Sequence, residues 1–202
     1  MGSRRIGRRR LYALNKLGSE TDATAPGPGM AKAVKTTVRR EGHRIITEIA
    51  VDLGTSGASI GAKNDADDII GDTSGGAAYL TQVTNAVNGR IVSVEMHCAE
   101  TPASTNSHTT LDLLSEGNGN QAYDADGSGM TKIVDAANAW AAGDTVLVVA
   151  DADDAGTEFT ANRIVADEYL YLSTAAAAGG DDVFTAGKYV ITLEGIAVPD
   201  DM

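Results

Sequence analysis

The sequence predicts an all-β protein: an antiparallel β-sandwich, jelly-roll-like, with an extended basic N-terminal arm. Two observations predict the sandwich and a third predicts the arm. From residue 36 onward, apolar and polar residues alternate with period two, the spacing of half-buried strands. Clusters rich in Gly, Asn, Asp and Ser separate these runs at 61–76, 116–129 and 175–187, as turns separate the strands of a sandwich. Finally, 11 of the 16 Lys and Arg residues lie in the first 44 positions. The division expected is an arm with a Gly/Pro linker over 1–35 and a sandwich domain over 36–202.

The strands follow in order. In Arg44–Leu53, Ile45, Ile49, Val51 and Leu53 share one face with Thr47, and Ile46, Glu48, Ala50 and Asp52 take the other. In Arg90–Cys98, Val92, Val94, Met96 and Cys98 alternate with Ile91, Ser93, Glu95 and His97. Asn88-Gly89 just before it carries the type I′ turn signal, since both residues tolerate positive φ. Tyr79–Val87 is therefore expected as the hairpin partner, although Leu80, Val83 and Val87 also fit a helix. Further strands are expected at Thr110–Leu114, Thr145–Ala150, Glu168–Ser173 and Lys188–Val198, the last with a bulge at Gly195. Ile133–Ala142, carrying Trp140, is the best internal helix candidate. With a single helical crossover, a parallel nucleotide-binding sheet is not expected.

The net charge of −12 divides unevenly. Met1–Arg44 holds eleven basic and three acidic residues, a net of +8, and the remainder holds five against 25, a net of −20. An acidic body repels nucleic acid and anionic membrane, and a basic arm attracts anionic surfaces. Arg4, Arg5, Arg8, Arg9, Arg10 and Lys16 supply the arm's charge, with Leu11, Tyr12 and Leu14 interspersed, and a short helix is expected over Arg8–Lys16. Gly18–Gly29, with Pro26-Gly-Pro-Gly29, reads as linker. Docking of the arm on protein is favoured over nucleic-acid contact. No apolar run approaches the ~20 residues of a membrane helix, and Leu11–Gly18 lacks the form of a secretory signal. One cysteine, Cys98, excludes an internal disulfide framework and a multi-thiolate zinc site.

Four motifs invite chemistry. Val51-Asp-Leu-Gly-Thr-Ser-Gly57 resembles the first phosphate loop of the sugar-kinase, actin and chaperone ATPases, but over seven residues, so a strand ending in a glycine turn is expected instead. Gly71-Asp-Thr-Ser-Gly-Gly76 resembles the nucleophile segment of trypsin-like proteases, with His43 as the base; one inserted residue spoils the spacing beside the oxyanion hole. Asp124, Asp126, Ser128 and Asp135 fall at positions one, three, five and twelve of a calcium loop. Asp in place of Glu at position twelve, and Lys132 within the loop, favour an exposed acidic turn, with weak calcium binding as the alternative. His97 and Cys98 point to opposite faces of one strand, so Cys98 is expected in the core and His97 at or near the surface. No catalytic residue and no cofactor is expected.

Three segments carry a family resemblance: Met1-Gly-Ser-Arg-Arg-Ile-Gly-Arg-Arg-Arg-Leu-Tyr-Ala-Leu-Asn-Lys16, Ile46-Thr-Glu-Ile-Ala-Val-Asp-Leu-Gly54 and Phe184-Thr-Ala-Gly-Lys-Tyr-Val-Ile-Thr-Leu-Glu-Gly-Ile-Ala-Val-Pro199. On these the chain resembles a family of small virion proteins from tailed phages of marine bacteria. The resemblance implies a non-enzymatic structural component, first a capsid decoration or cement protein at the virion surface, made in the host cytoplasm. Its partners would be the major capsid protein or other virion subunits, and a homo-oligomer, such as a trimer, suits that role. A tail, fibre or head–tail connector component, or a small shell subunit, is the second expectation. Nucleic-acid binding through the Arg-rich arm is the third.

Overall fold

The computed structural model describes residues 24–136, 138–149, 164–177 and 180–197. Its strands are β1 (Val34–Glu41), β2 (Arg44–Asp52), β3 (Ile60–Ala62), β4 (Gly71–Asp72) and β5 (Thr81–Gln82). After a single helical turn, α1 (Asn85–Asn88), come β6 (Arg90–Ser104), β7 (Leu111–Glu116) and β8 (Thr131–Val134). The last three are β9 (Thr145–Val149), β10 (Tyr169–Thr174) and β11 (Asp182–Ile196). All pairings are antiparallel. The chain forms the antiparallel sandwich that its period-two alternation predicts.

The long strand β11 is the spine of the first sheet. Its Ile191 lies opposite Ile49 of β2 on one side and Met96 of β6 on the other. Strand β1 extends the sheet beyond β2, and β9 extends it beyond β6. The start of β11 also pairs with β3, which carries β4. The second sheet runs β5-β10-β7-β8. Inward residues of both sheets, including Ile49, Met96, Tyr189, Leu113, Leu170 and Leu172, join one apolar core.

The second sheet is buried on both faces. Successive side chains on a strand point to opposite sides, yet Leu111 to Ser115 and Leu170 to Thr174 are all buried. The set Leu111, Leu113, Leu170 and Leu172 packs toward the first sheet. The opposite set, Leu114, Tyr171 and their neighbours, is covered by coil from 67–79 and 117–130. Ile69 bridges to Ser173, the Tyr171 hydroxyl donates to the Asn118 carbonyl at 2.6 Å, and Tyr79 lies edge-on to Tyr169 with ring centroids 4.9 Å apart. The Gly/Asn-rich stretch after β7 is thus a third layer. Two glycines let it lie close: a Cβ at Gly119 would sit 2.6 Å from the Tyr169 ring, and one at Gly127 would meet Leu114 at 2.7 Å.

Four expectations are corrected. Residues 24–33 are not linker: the Gly27 and Gly29 amides donate to the carbonyls of Tyr79 and Ala77 at 2.9 and 2.8 Å, and Met30 is fully buried. The sandwich domain therefore takes in residues ahead of position 36. Asn88-Gly89 is not a hairpin turn: Thr84 caps α1, the Asn88 side chain bonds Thr47 and the Thr84 amide, and Gly89 (φ 68°) ends the helix. Accordingly β5, within the expected hairpin partner, pairs with β10 instead of β6. Ile133–Ala142 is not a helix: Ile133 and Val134 belong to β8, where Val134 lies opposite Leu113. The amide of Trp140 donates to the Thr109 carbonyl at 2.9 Å instead of closing a helical turn. The last strand begins at Asp182, earlier than Lys188. The register does shift at Gly195, where a Cβ would fall 1.9 Å from the Asn88 carbonyl oxygen.

The covering layer can be tested by adding single methyl groups. Gly119→Ala or Gly127→Ala is expected to cost ~1–3 kcal/mol through overpacking. That is a fall in melting temperature of roughly 3–10 °C for a domain of this size. Gly129→Ala, with nothing within 4 Å of the new carbon, should melt with the parent in the same calorimetric scan.

Candidate functional site

The residues expected to bind a partner, Arg4, Arg5, Arg8, Arg9, Arg10, Leu11, Tyr12, Leu14 and Lys16, lie outside the described residues, as does the acidic run Asp151–Asp154. What the structure places is their root. Thr24 runs beside the edge strand β5, its carbonyl accepting from the Thr81 hydroxyl at 3.2 Å. The Gly27 and Gly29 amides continue this ladder, and Asp72 donates back to the Gly29 carbonyl at 2.9 Å. The basic leader is therefore joined to the body by a fixed clamp at one edge of the second sheet.

The basic residues of the body are already engaged. Lys63 pairs with Asp181 at 2.9 Å, Lys188 with Glu100 at 2.7 Å and Arg44 with Glu194 at 2.6 Å. Lys32 reaches the Gly57 carbonyl, Arg40 the Gly42 carbonyl and Arg39 the Glu41 carboxylate. Lys35 and Arg90 also have partners. Each Lys and Arg among the described residues thus has a partner.

Those carboxylates gather where 65–68 meets 124–127. Lys132 stands between Asp67 (2.7 Å) and Asp112 (2.8 Å). Asp112 is fully buried on β7, and its second oxygen accepts from the Ala136 amide at 2.7 Å. The hydrogen bond to Asp112, then that to Asp67, raises the Lys132 ammonium above its ordinary range. Asp67 adopts φ 65°, a left-handed conformation that Asp tolerates. Its backbone is held by the Thr174 carbonyl and the Gly127 amide.

Asp68 bridges to Asp126 across this short ladder, so their side chains share a face. It is 7% exposed, and its Oδ2 finds no hydrogen bond among the described residues. Burial, then the charge of Asp124, raises its carboxyl above the usual range. Asp126, exposed and accepting from the Ser128 amide, is held low. The calcium reading of this segment is not supported by the geometry. Among the described residues no three Asp, Glu, His or Cys side chains are placed to hold a metal ion. Asp124 pairs with Lys63 at 3.6 Å, Asp126 closes its own turn on Ser128, and Asp135 lies past the end of β8.

The other motifs resolve into turns and core. Asp52 accepts from the Gly54 amide at 3.1 Å, and Gly57 takes φ 87°. Asp72 accepts from both the amide and hydroxyl of Ser74, at 2.9 and 2.8 Å, with Gly75 and Gly76 at positive φ. Ser74 is thereby the donor to a carboxylate in a tight turn. His43 sits in the turn between β1 and β2. Cys98 is fully buried, and His97 is partly buried with its Nδ1 2.8 Å from the Thr145 hydroxyl. No described helix is long and apolar enough to cross a membrane.

Protein-family models, characterised proteins and solved structures give no match to the chain. The residues that the sequence reading missed are Asp112, Asp67 and Lys132. Their signal is present: a lone Asp inside the apolar run Leu111-Asp-Leu-Leu114 must find a buried partner.

Two outcomes test this end of the molecule. Lys132→Met strands the Asp112 charge in the interior and is expected to cost ~3 kcal/mol. Adding Asp112→Asn to it should recover part of that loss in denaturant unfolding. For Asp68, the folded state binds a proton more tightly than the unfolded chain. Its contribution is therefore complete below the ordinary carboxylate pKa of about 4 and is lost as pH rises through the raised folded value. The melting temperature of Asp68→Asn relative to the parent should climb across that range and then level; a difference independent of pH would contradict the raised pKa.

Proposed function

We propose that the protein is a phage virion structural protein, a capsid decoration or cement protein that binds the head shell through its basic N-terminal leader. The reading rests on the resemblance of the chain's two ends and its β2 segment to small virion proteins of marine tailed phages. The structural observation that supports it is that every described Lys and Arg already has a partner. Of the seven basic residues outside the described ones, one is Arg163 and six lie in residues 1–23, beside two acidic residues. Those residues continue from a clamp fixed to an edge strand, so force on the leader is delivered to the sheet and not to a loose tether.

The chemistry suits a shell-binding role. An acidic body stays soluble at high copy number and does not adhere to released genome. An Arg-rich segment makes bidentate contacts with carboxylates on a neighbouring surface. The body itself offers no paired base and nucleophile among the motifs tested above.

The truncation that tests this follows from the clamp. Removing residues 2–23 leaves Gly27, Gly29 and Met30 in place, whereas a cut after Gly29 would remove four backbone hydrogen bonds. The shortened chain is expected to melt within a few degrees of the parent and to lose co-sedimentation with heads purified free of this protein. Full binding by the shortened chain would defeat the proposal. Copy number in reconstituted particles separates the readings: a decoration protein follows the shell's symmetry, and a tail or connector component is present in far fewer copies.

A further inference from the structure

Asn-Gly occurs twice in the chain, at Asn88-Gly89 and Asn118-Gly119, and the fold treats the two pairs in opposite ways. Asn88 is 2% exposed; its Nδ2 donates to the Thr47 hydroxyl at 2.8 Å, and its Oδ1 accepts from the Thr84 amide at 2.9 Å. The Gly89 amide that follows donates to the Asn85 carbonyl at 3.0 Å. Asn118, in contrast, is exposed. Its Oδ1 accepts from the Asn120 amide at 3.1 Å, and its backbone carbonyl accepts from the hydroxyl of the buried Tyr171 at 2.6 Å. Among the described residues the Gly119 amide donates to no acceptor.

An asparagine side chain followed by glycine is open to attack by the glycine nitrogen, which no side chain shields. That nitrogen must first lose its proton, and the negative charge then spreads onto the oxygen of the same peptide group. For Gly119 this oxygen is the Asn118 carbonyl, on which the Tyr171 hydroxyl already donates. As a bond forms from the Gly119 nitrogen to the Asn118 Cγ, charge moves to Oδ1, at which the Asn120 amide points. Donors fixed at the oxygens where charge develops lower the barrier to acyl transfer. The C–N bond of the side-chain amide then breaks, and ammonia leaves, carrying a proton in place of the one the nitrogen gave up. Water opens the resulting succinimide at either carbonyl, giving aspartate or isoaspartate, whose backbone runs through the former side-chain methylene. At Asn88 the same attack would require three interior hydrogen bonds to break. The reactive pair lies in the layer that covers the second sheet. A Cβ at Gly119 would sit 2.6 Å from the Tyr169 ring, so a lengthened backbone at 118 has no room there.

We propose that Asn118-Gly119 is a self-modification site, where the Tyr171 hydroxyl and the Asn120 amide promote succinimide formation and so loosen the covering layer as the protein ages. The test holds the full-length chain in warm, mildly alkaline buffer, with and without guanidinium chloride, and digests samples with trypsin over time. Arg90 lies between the two pairs, so trypsin places them in separate peptides, and fragmentation distinguishes Asn118 from Asn106 and Asn120. Conversion replaces a side-chain amide by a carboxyl, a gain of about one mass unit. In folded protein Asn118 is expected to convert roughly tenfold or more faster than Asn88, and in denaturant that difference should vanish. Tyr171→Phe keeps the ring and removes the donor, so conversion at Asn118 should slow roughly tenfold in folded protein and stay at the parent's rate in denaturant. Aged parent should melt a few degrees below fresh protein, and Asn118→Gln aged alongside should not. Folded parent in which Asn118 converts no faster than Asn88 would overturn the proposal, and that comparison needs no variant. A Tyr171→Phe rate equal to or above the parent's would overturn the role of the hydroxyl. Parent that has converted at Asn118 yet melts with fresh protein would overturn the loosening of the cover.

Discussion

The ammonium of Lys132, placed between Asp67 and the buried Asp112, is the constraint on which the second half of the molecule depends. It joins two elements with opposite needs. Asp112 belongs to a strand that is apolar on both sides, and Asp67 belongs to the coil that keeps water off one of those sides. A buried carboxylate without a partner costs several kcal/mol. Here that cost is offset only when the covering coil is in place and Lys132 reaches both acids. Strand pairing and the cover are thereby made to form together, and the polar bridge fixes where the cover sits on the sheet.

The cover also explains which parts of the fold are legible in the sequence. The first sheet has one solvated face, so β2 and the first part of β6 alternate and can be read from period two, although β6 runs on past the expected Cys98 to Ser104. Strands β7 and β10 are buried on both faces, and their apolar runs lose that alternation. Nothing local says that the Gly/Asn-rich stretch after β7 folds back over Tyr169 and Tyr171. Its glycines resemble those of a solvated loop, and their need for close approach appears only once the rings are in place. Asn88-Gly89 misleads for a related reason. The pair suits a hairpin, but the Asn88 side chain finds Thr47 across the sheet, and this tertiary bond selects a helical turn. Of the candidate sites, the charge segregation was legible from the sequence, and the pairing of Lys132 was not, because its partners lie 65 and 20 positions away.

Electrostatics and architecture meet at the clamp on residues 24–33. Residues 1–23 carry a net of +4, so the rest of the chain carries −16. Bodies of that charge repel one another at the spacing of a close-packed surface, and screening at physiological salt reaches only about 8 Å. The described cations do not relieve this repulsion, since each already has a partner. On the proposed reading, relief comes from the leader, delivered to a neighbour by a segment whose root is fixed.

That division of labour has an energetic logic. Ordering a leader of some twenty residues loses conformational entropy of the order of 1 kcal/mol or more for each residue fixed. A few exposed ion pairs at a fraction of a kcal/mol each do not offset such a loss. A flat acidic patch is therefore a poor receptor, and a recess where a guanidinium meets carboxylates and an aromatic wall is a better one, because desolvation strengthens each contact there. Only a short part of the leader then needs to be ordered, with the remainder acting as a tether that raises the local concentration of its arginines.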